Sequence, residues 1–295
     1  MRRVKVNSKV VTSRAPVRID FAGPWTDVPK FAASIPGLVV NAAITLYTYV
    51  TIKQKTDKTV RTSLYGYPIR TRVHNNSIFM YSVDLDKYVD VGSVWDIEYN
   101  GTLDLVKAAC KRLSKSLGGI EIVTRSEAPP GSGLGTSASM GVALIGALLK
   151  YAGEFLSRAE IADMAFRLET EELKLLSGTQ DQYSAVYGGV ACWRCYGDRV
   201  LYDPILLESS LRLELEKRLV LCYTGQSRLS SDIHFHVNEE FDRGGNHFPL
   251  TKLVQTAEIA RKALYVGDLD LLSDAMNQSW IWQKQLHSSV TNEVV

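Results

Sequence analysis

Ten consecutive residues, Pro130-Gly131-Ser132-Gly133-Leu134-Gly135-Thr136-Ser137-Ala138-Ser139, carry the sharpest chemical signal in this chain. Glycines let a backbone take positive φ and approach a ligand closely, and a helix opening at Thr136 would offer unpaired N–H groups and the positive end of its dipole. Together these features suit a phosphate. No Gly-Lys-Ser/Thr follows, so the stretch is not a P-loop, and its Gly-x-Gly-x-Gly spacing behind two prolines departs from the dinucleotide loop. An ordinary strand-to-helix junction capped by Thr136 or Ser137 would use the same residue types, and the spacing alone leaves the two readings level. A second glycine-marked turn, Ser177-Gly178-Thr179-Gln180-Asp181-Gln182-Tyr183, presents Asp181. Taken alone, an Asp after such a turn more often bonds its own backbone.

The elements around these turns read from periodicity. Runs rich in Val, Ile, Thr and Tyr predict strands over 10–22, 38–53, 60–72, 77–83 and 119–124. Helical spacing is expected over 102–117, 136–151 and 158–174, and later over 229–240, 247–265 and 269–286. Further strand patterns fall at 190–196, 199–202 and 218–223. Mixed strands and helices with long, non-alternating β runs indicate an α+β fold. No linker rich in Pro, Gly and Ser divides the chain, so two domains, 1–200 and 201–295, meet at a soft boundary.

Composition excludes several classes. With 295 residues, 45% hydrophobic and 22% charged, the chain is that of an ordinary globular protein with room for a sizeable core. The longest apolar stretch, 140–149, is about half of a membrane-spanning helix, and the first residues show no secretory signal. A cytoplasmic protein without a membrane partner is expected. Thirty-four basic against 32 acidic residues, interspersed, give a net charge of +2 and no basic stripe for nucleic acid. Cys110, Cys192, Cys195 and Cys222 sit in apolar runs and read as buried small hydrophobes. Cys192 and Cys195 have the spacing of a zinc or redox pair, but on a strand their thiols would point to opposite faces. His234 and His236 diverge on a helix and have no third ligand nearby.

The stretch from Pro129 to Ser139 resembles the phosphate-binding signature of the galactokinase, homoserine kinase, mevalonate kinase and phosphomevalonate kinase superfamily, the GHMP kinases. Arg14-Ala15-Pro16-Val17-Arg18-Ile19-Asp20-Phe21-Ala22-Gly23-Pro24-Trp25-Thr26-Asp27 is similar to the amino-terminal strand and sugar-contacting turn of its sugar kinases. Gly178-Thr179-Gln180-Asp181-Gln182-Tyr183, followed by Ala185-Val186-Tyr187-Gly188-Gly189, resembles the catalytic-aspartate segment. Heptose-7-phosphate kinases and fucokinases, which phosphorylate an anomeric hydroxyl, match best. Trp25-Thr26-Asp27-Val28-Pro29 is nearer the fucokinase form, and the acceptor stays split between the two groups.

The resemblance implies a two-domain fold, with a ribosomal protein S5 domain 2-like amino-terminal domain and a ferredoxin-like carboxyl-terminal domain. It implies ATP under Pro130, Gly131, Ser132, Gly133, Leu134, Gly135, Thr136, Ser137 and Ala138. Asp181 becomes the carboxylate facing the acceptor hydroxyl, with Arg18 beside it to stabilise charge on the moving phosphoryl group. Mg2+ would take Ser137 and Glu169 as hard oxygen ligands. Glu172, one turn on, is the alternative, and all three of Glu169, Glu171 and Glu172 suit a solvated acidic face equally.

Thr26 and Asp27 would accept hydrogen bonds from sugar hydroxyls, or else cap a turn. Tyr223, Thr224 and Arg228 are candidates for the far side of the sugar, and Arg228 or Lys284 for a second phosphate. A sugar or sugar phosphate is the implied partner, and a homodimer is left open. A non-catalytic sensor and a diphosphate decarboxylase are the rival readings. The family's third glycine-rich motif has no match after Gly267, so the resemblance leaves the carboxyl-terminal domain incomplete.

Overall fold

The computed structural model describes residues 9–55, 59–64, 67–72, 76–113, 118–226 and 230–291. In chain order the first elements are β1 (Val10–Ala22), α1 (Pro29–Ser34), β2 (Gly37–Gln54), β3 (Thr59–Leu64), β4 (Tyr67–Arg72), β5 (Ile78–Ser82) and β6 (Lys87–Val91). Then come α2 (Asp104–Leu113), β7 (Ile120–Ser126), α3 (Thr136–Ala152), α4 (Arg158–Arg167) and α5 (Gln180–Tyr187). The chain continues through β8 (Val190–Tyr196), β9 (Arg199–Pro204), α6 (Ser209–Arg218), α7 (Ser230–Asp242), α8 (His247–Val266) and α9 (Leu269–Gln283).

Two compact units are each assembled from separated stretches. The first draws on 1–15, 46–130 and 136–174. In it β5 runs parallel to β7 and antiparallel to β6, and β7 runs antiparallel to the end of β2, from Thr48 opposite Ser126 to Gln54 opposite Ile120. Helix α3 is buried along most of its length, as a helix apolar on nearly every face must be. Its first turn is pinned by polar contacts: the Ser139 hydroxyl donates to the Ala15 carbonyl at 2.9 Å and lies 2.8 Å from the Thr48 hydroxyl.

The second unit draws on 16–45, 131–135 and 175–295. The start of β2 pairs with β8, Gly37 opposite Cys195, and β8 pairs with β9. Alanines 257, 260, 263 and 275 of α8 and α9 pack with Phe21, Leu38, Val40 and Cys192 in one core cluster. Small side chains on facing helices allow this close approach. Cys195 belongs to a different cluster, around Trp193 and Val39. The two thiols thus face opposite sides of β8, as strand alternation requires. No helix among the described residues is long and apolar enough to cross a membrane.

Several expectations are corrected. The 60–72 run is a hairpin, with Thr59 opposite Arg72. The expected helix over 158–174 leaves α-geometry at Leu168, where a π-helical turn spans Leu168–Glu172. Residues 114–117, the end of another expected helix, lie outside the described residues.

The expected strand over 218–223 does not form. Arg218 ends α6, and Val220 and Leu221 are 88% and 55% exposed. β-propensity needs a neighbouring strand to express itself, and among the described residues none pairs there. Cys222 is in consequence exposed rather than buried.

Candidate active site

Strand β1 and helix α5 bring the central pair together within the second unit. Arg18 Nε donates to Asp181 Oδ1 at 2.7 Å and Nη2 donates to Oδ2 at 3.0 Å, a two-pronged guanidinium–carboxylate contact. The remaining arm, Nη1, donates to the Gly133 carbonyl at 2.5 Å, and the Arg18 backbone N–H donates to the Leu134 carbonyl at 3.1 Å. Arg18 is thereby bound to the glycine-rich loop and to the carboxylate at once. A Cβ on Gly135, whose φ is +68°, would stand 3.0 Å from Asp181 Oδ2, closer than ordinary contact, so the loop passes tightly against the carboxylate.

Charge is unbalanced here. Asp20, two residues along β1 and on the same face as Arg18, lies 3.2 Å from its Nε. Burial works against the Arg18 charge, but Asp181, Asp20 and Asp27 outweigh it and hold the guanidinium above its ordinary range. Burial pushes the Asp20 carboxyl upward, and Arg18 only partly offsets it.

Thr26 and Asp27 are both buried. The Thr26 hydroxyl donates to the Gly23 and Leu38 carbonyls and accepts from the Leu38 N–H, so its bonds are those of the turn itself. Asp27 Oδ2 accepts the Gln180 N–H at 3.0 Å, the first N–H of α5. The Thr179 hydroxyl donates to the Asp27 carbonyl. A carboxylate at a helix amino terminus satisfies an orphan donor and complements the dipole, and Asp27 does this for the helix that carries Asp181. Gly178 permits it, since a Cβ there would lie 2.0 Å from Asp27 Oδ2. Sequence spacing could not reveal a cap supplied from 153 residues away.

Burial raises the Asp27 pKa from 3.8 to about 6, the Gln180 N–H opposing it. The folded protein then holds that proton more tightly than the unfolded chain does. The Asp27 contribution to stability is full below about pH 4 and is lost as pH climbs through about 6. Asp27→Asn keeps an oxygen acceptor for Gln180 and removes the titration. Its thermal midpoint is expected to gain on the wild type between pH 4 and pH 7; a gap that stays constant across that range refutes the assignment.

The Mg2+ candidates meet in the first unit. The Ser137 hydroxyl, in the first turn of α3, donates to Glu169 Oε1 at 2.5 Å, and Glu169 is buried on the π-helical turn. Such turns recur at functional sites because they re-aim a side chain without ending the helix. Glu171 and Glu172 are engaged otherwise, with Arg112 at 3.0 and 3.4 Å, and Glu172 also accepts from the Tyr99 hydroxyl. The ion-paired acidic face therefore consists of Glu171 and Glu172, and Glu169 is the member that touches Ser137. Two hard oxygens in contact fit Mg2+, whose remaining positions phosphate oxygens and water can fill.

The loop suits a polyphosphate. Gly131, Gly133 and Gly135 all have positive φ, +68°, +77° and +68°. Ser132 Oγ and Thr136 Oγ1 are each buried without a hydrogen-bond partner among the described residues, which is costly unless a ligand or water satisfies them.

Tyr223 is 48% exposed on the irregular segment after α6. Lys284 stands over the Trp280 ring, 5.6 Å from its centroid. Arg228 lies outside the described residues.

Residues 104–189 match the family model described as the GHMP kinases N terminal domain. The chain is 28% identical to the D-glycero-alpha-D-manno-heptose 7-phosphate kinase of Campylobacter jejuni, over 97% of this chain and 80% of that protein. It is also 28% identical to the bifunctional fucokinase/GDP-fucose pyrophosphorylase of Arabidopsis thaliana, over 95% of this chain but 26% of that much longer protein. A crystal structure of a D-glycero-D-manno-heptose 1-phosphate kinase from Bacteroides thetaiotaomicron superposes with a TM-score of 0.74 at 25% identity, covering 94% of this chain and 79% of that one.

Proposed function

Since this chain carries a GHMP kinase N-terminal domain, we propose that it transfers the γ-phosphoryl group of ATP to a sugar, with the anomeric hydroxyl of a manno-heptose 7-phosphate as acceptor. The observation that carries this reading is the Arg18 fork, which joins Asp181 and the Gly133 carbonyl through one guanidinium.

Phosphoryl transfer asks little covalent chemistry of the protein and much positioning and charge stabilisation. In this reading Asp181 orients the acceptor hydroxyl and takes its proton as the oxygen closes on phosphorus. Arg18 offsets the negative charge that builds on the transferring group. The loop from Pro130 to Ala138 holds the phosphates through backbone N–H groups, with the Ser132 and Thr136 hydroxyls as further donors. Ser137 and Glu169 would hold Mg2+, which supplies neutralisation of phosphate charge when bound. Residues 1–200 carry this machinery, and 201–295 contribute the rest of the acceptor side.

A fucokinase-like acceptor is the second reading, favoured by Trp25-Thr26-Asp27-Val28-Pro29. Incubation with Mg-ATP and a panel of heptose 7-phosphate, fucose and galactose, following ADP release, separates the two. ATP binding without ADP release on any sugar would instead mark a non-catalytic sensor.

Gly133 supplies a separate test of the loop. Its φ is +77° and a Cβ there would meet nothing within 4 Å. Gly133→Val thus costs only backbone strain, about 1–2 kcal/mol, while filling the open face that the phosphates need. Loss of ATP binding in equilibrium titration with a folded protein is expected; wild-type affinity would remove the loop from the site.

A further inference from the structure

Helix α7 carries a histidine that the reaction as derived leaves without a task. His234 is half-buried, and its ring lies 4.5 Å, centroid to centroid, from the ring of Trp25, tilted by 45°. Trp25 immediately precedes Thr26 and Asp27 and holds φ at +77°, a region that bulky residues rarely adopt. Such a conformation persists where the surrounding packing over-determines it, and Trp25 packs on the cluster of Val28, Phe31, Val237 and Leu250.

His234 Nδ1 is itself buried and meets no hydrogen-bond partner among the described residues. Asp181 is the carboxylate whose field reaches the ring; burial outweighs it and holds the imidazole neutral, with its pKa pushed down to about 4. A neutral imidazole has one donor and one acceptor nitrogen. That suits a hydroxyl, which donates and accepts in turn, better than it suits a phosphate or a cation. The Trp25 ring beside it offers a flat apolar surface of the kind that the C–H face of a sugar covers well.

We propose that His234, through Nδ1, hydrogen-bonds a hydroxyl of the sugar acceptor seated against Trp25, and so helps to select that acceptor. The identity of the ligand rests on the sugar-kinase reading above. The contact itself rests on the unpaired nitrogen, the strained Trp25 and the electrostatic reach of Asp181. The turn after β1 meets two other elements of the same unit: Asp27 accepts the first N–H of α5, and Trp25 stands against His234 of α7.

The test combines imidazole 15N NMR of the full chain, with each sugar of the panel added in the absence of nucleotide, with kinetics of His234→Phe and His234→Gln. Phe keeps a ring against Trp25, and Gln keeps a neutral polar group. Addition of the acceptor should shift the His234 Nδ1 resonance. His234→Phe should raise the acceptor KM about tenfold, leaving kcat and the KM for ATP near wild type, and His234→Gln should recover most of the loss. A folding defect would move the sugar and ATP parameters together. If no sugar shifts the resonance, or if wild-type turnover on a sugar persists in His234→Phe with an unchanged acceptor KM, the inference falls. If a sugar shifts the resonance but none is phosphorylated, the contact stands and the kinase reading falls.

Discussion

Asp181→Asn is expected to lower kcat by about 10³-fold, within the range that removal of a general base produces, while ATP still binds. The substitution keeps the size of the side chain and one oxygen for Arg18 Nε, the 2.7 Å partner. It removes the negative charge and, with it, the proton acceptor of the proposed reaction. The amide nitrogen also replaces an acceptor toward Nη2, so the two-pronged contact becomes single. Single-turnover measurement of sugar phosphate, with nucleotide binding followed separately, checks the expectation. Turnover within a few-fold of wild type would show that Asp181 orients nothing and accepts no proton.

Arg18→Met should do more damage to the fold. The Arg18 side chain is 11% exposed and is flanked by Asp20 and Asp181. Removing one member of a buried pair typically costs about 3–5 kcal/mol, because the partner charge is left uncompensated. Asp20 and Asp27 already have raised pKa values through burial, and the loss of a cation raises them further. The stability gap to wild type should therefore widen as pH rises from 5 to 8 and narrow in acid, where the carboxylates take up protons. Arg18→Lys should restore part of the stability but little of the activity, since an ammonium is a point charge and cannot fork onto Asp181 while reaching Gly133. Thermal denaturation across pH, with kcat measured on the Lys variant, covers both points. A gap independent of pH would mean that Arg18 is not the counter-ion of this cluster.

Both expectations depend on residues that are legible in the sequence, and the reason lies in how local their signals are. Pro130 to Ser139 spells its conformation in glycines and prolines, and its companion helix shows itself by apolar spacing, so the loop and α3 follow from short-range rules. Arg18 and Asp181 are 163 residues apart, and their pairing came from the resemblance of two separate motifs rather than from any spacing between them.

What was not legible depends on long-range partners. The 218–223 run has the composition of a strand but, among the described residues, no strand beside it, and α6 takes up the residues just before it. The turn from α to π geometry at Leu168 adds one residue to a helical turn, which a pattern of apolar positions does not report. Thr26 and Asp27 have the chemistry to bind sugar hydroxyls. Which groups they bond depends on the segments folded against them, and here those are the Gly23 and Leu38 backbone and the start of α5.

The sequence by itself determined the glycine-rich loop, the α+β class and the set of acids, bases and hydroxyls that the chain can bring to a site. Those properties reside in residue type and in neighbours within a few positions. Only the tertiary structure decided which of three glutamates touches Ser137, that Asp27 caps the helix bearing Asp181, and that His234 stands against Trp25 with a nitrogen unpaired among the described residues. A side chain acquires its burial, its hydrogen-bond partners and its proton affinity from segments far away in the chain, and these contacts exist only once the chain has folded.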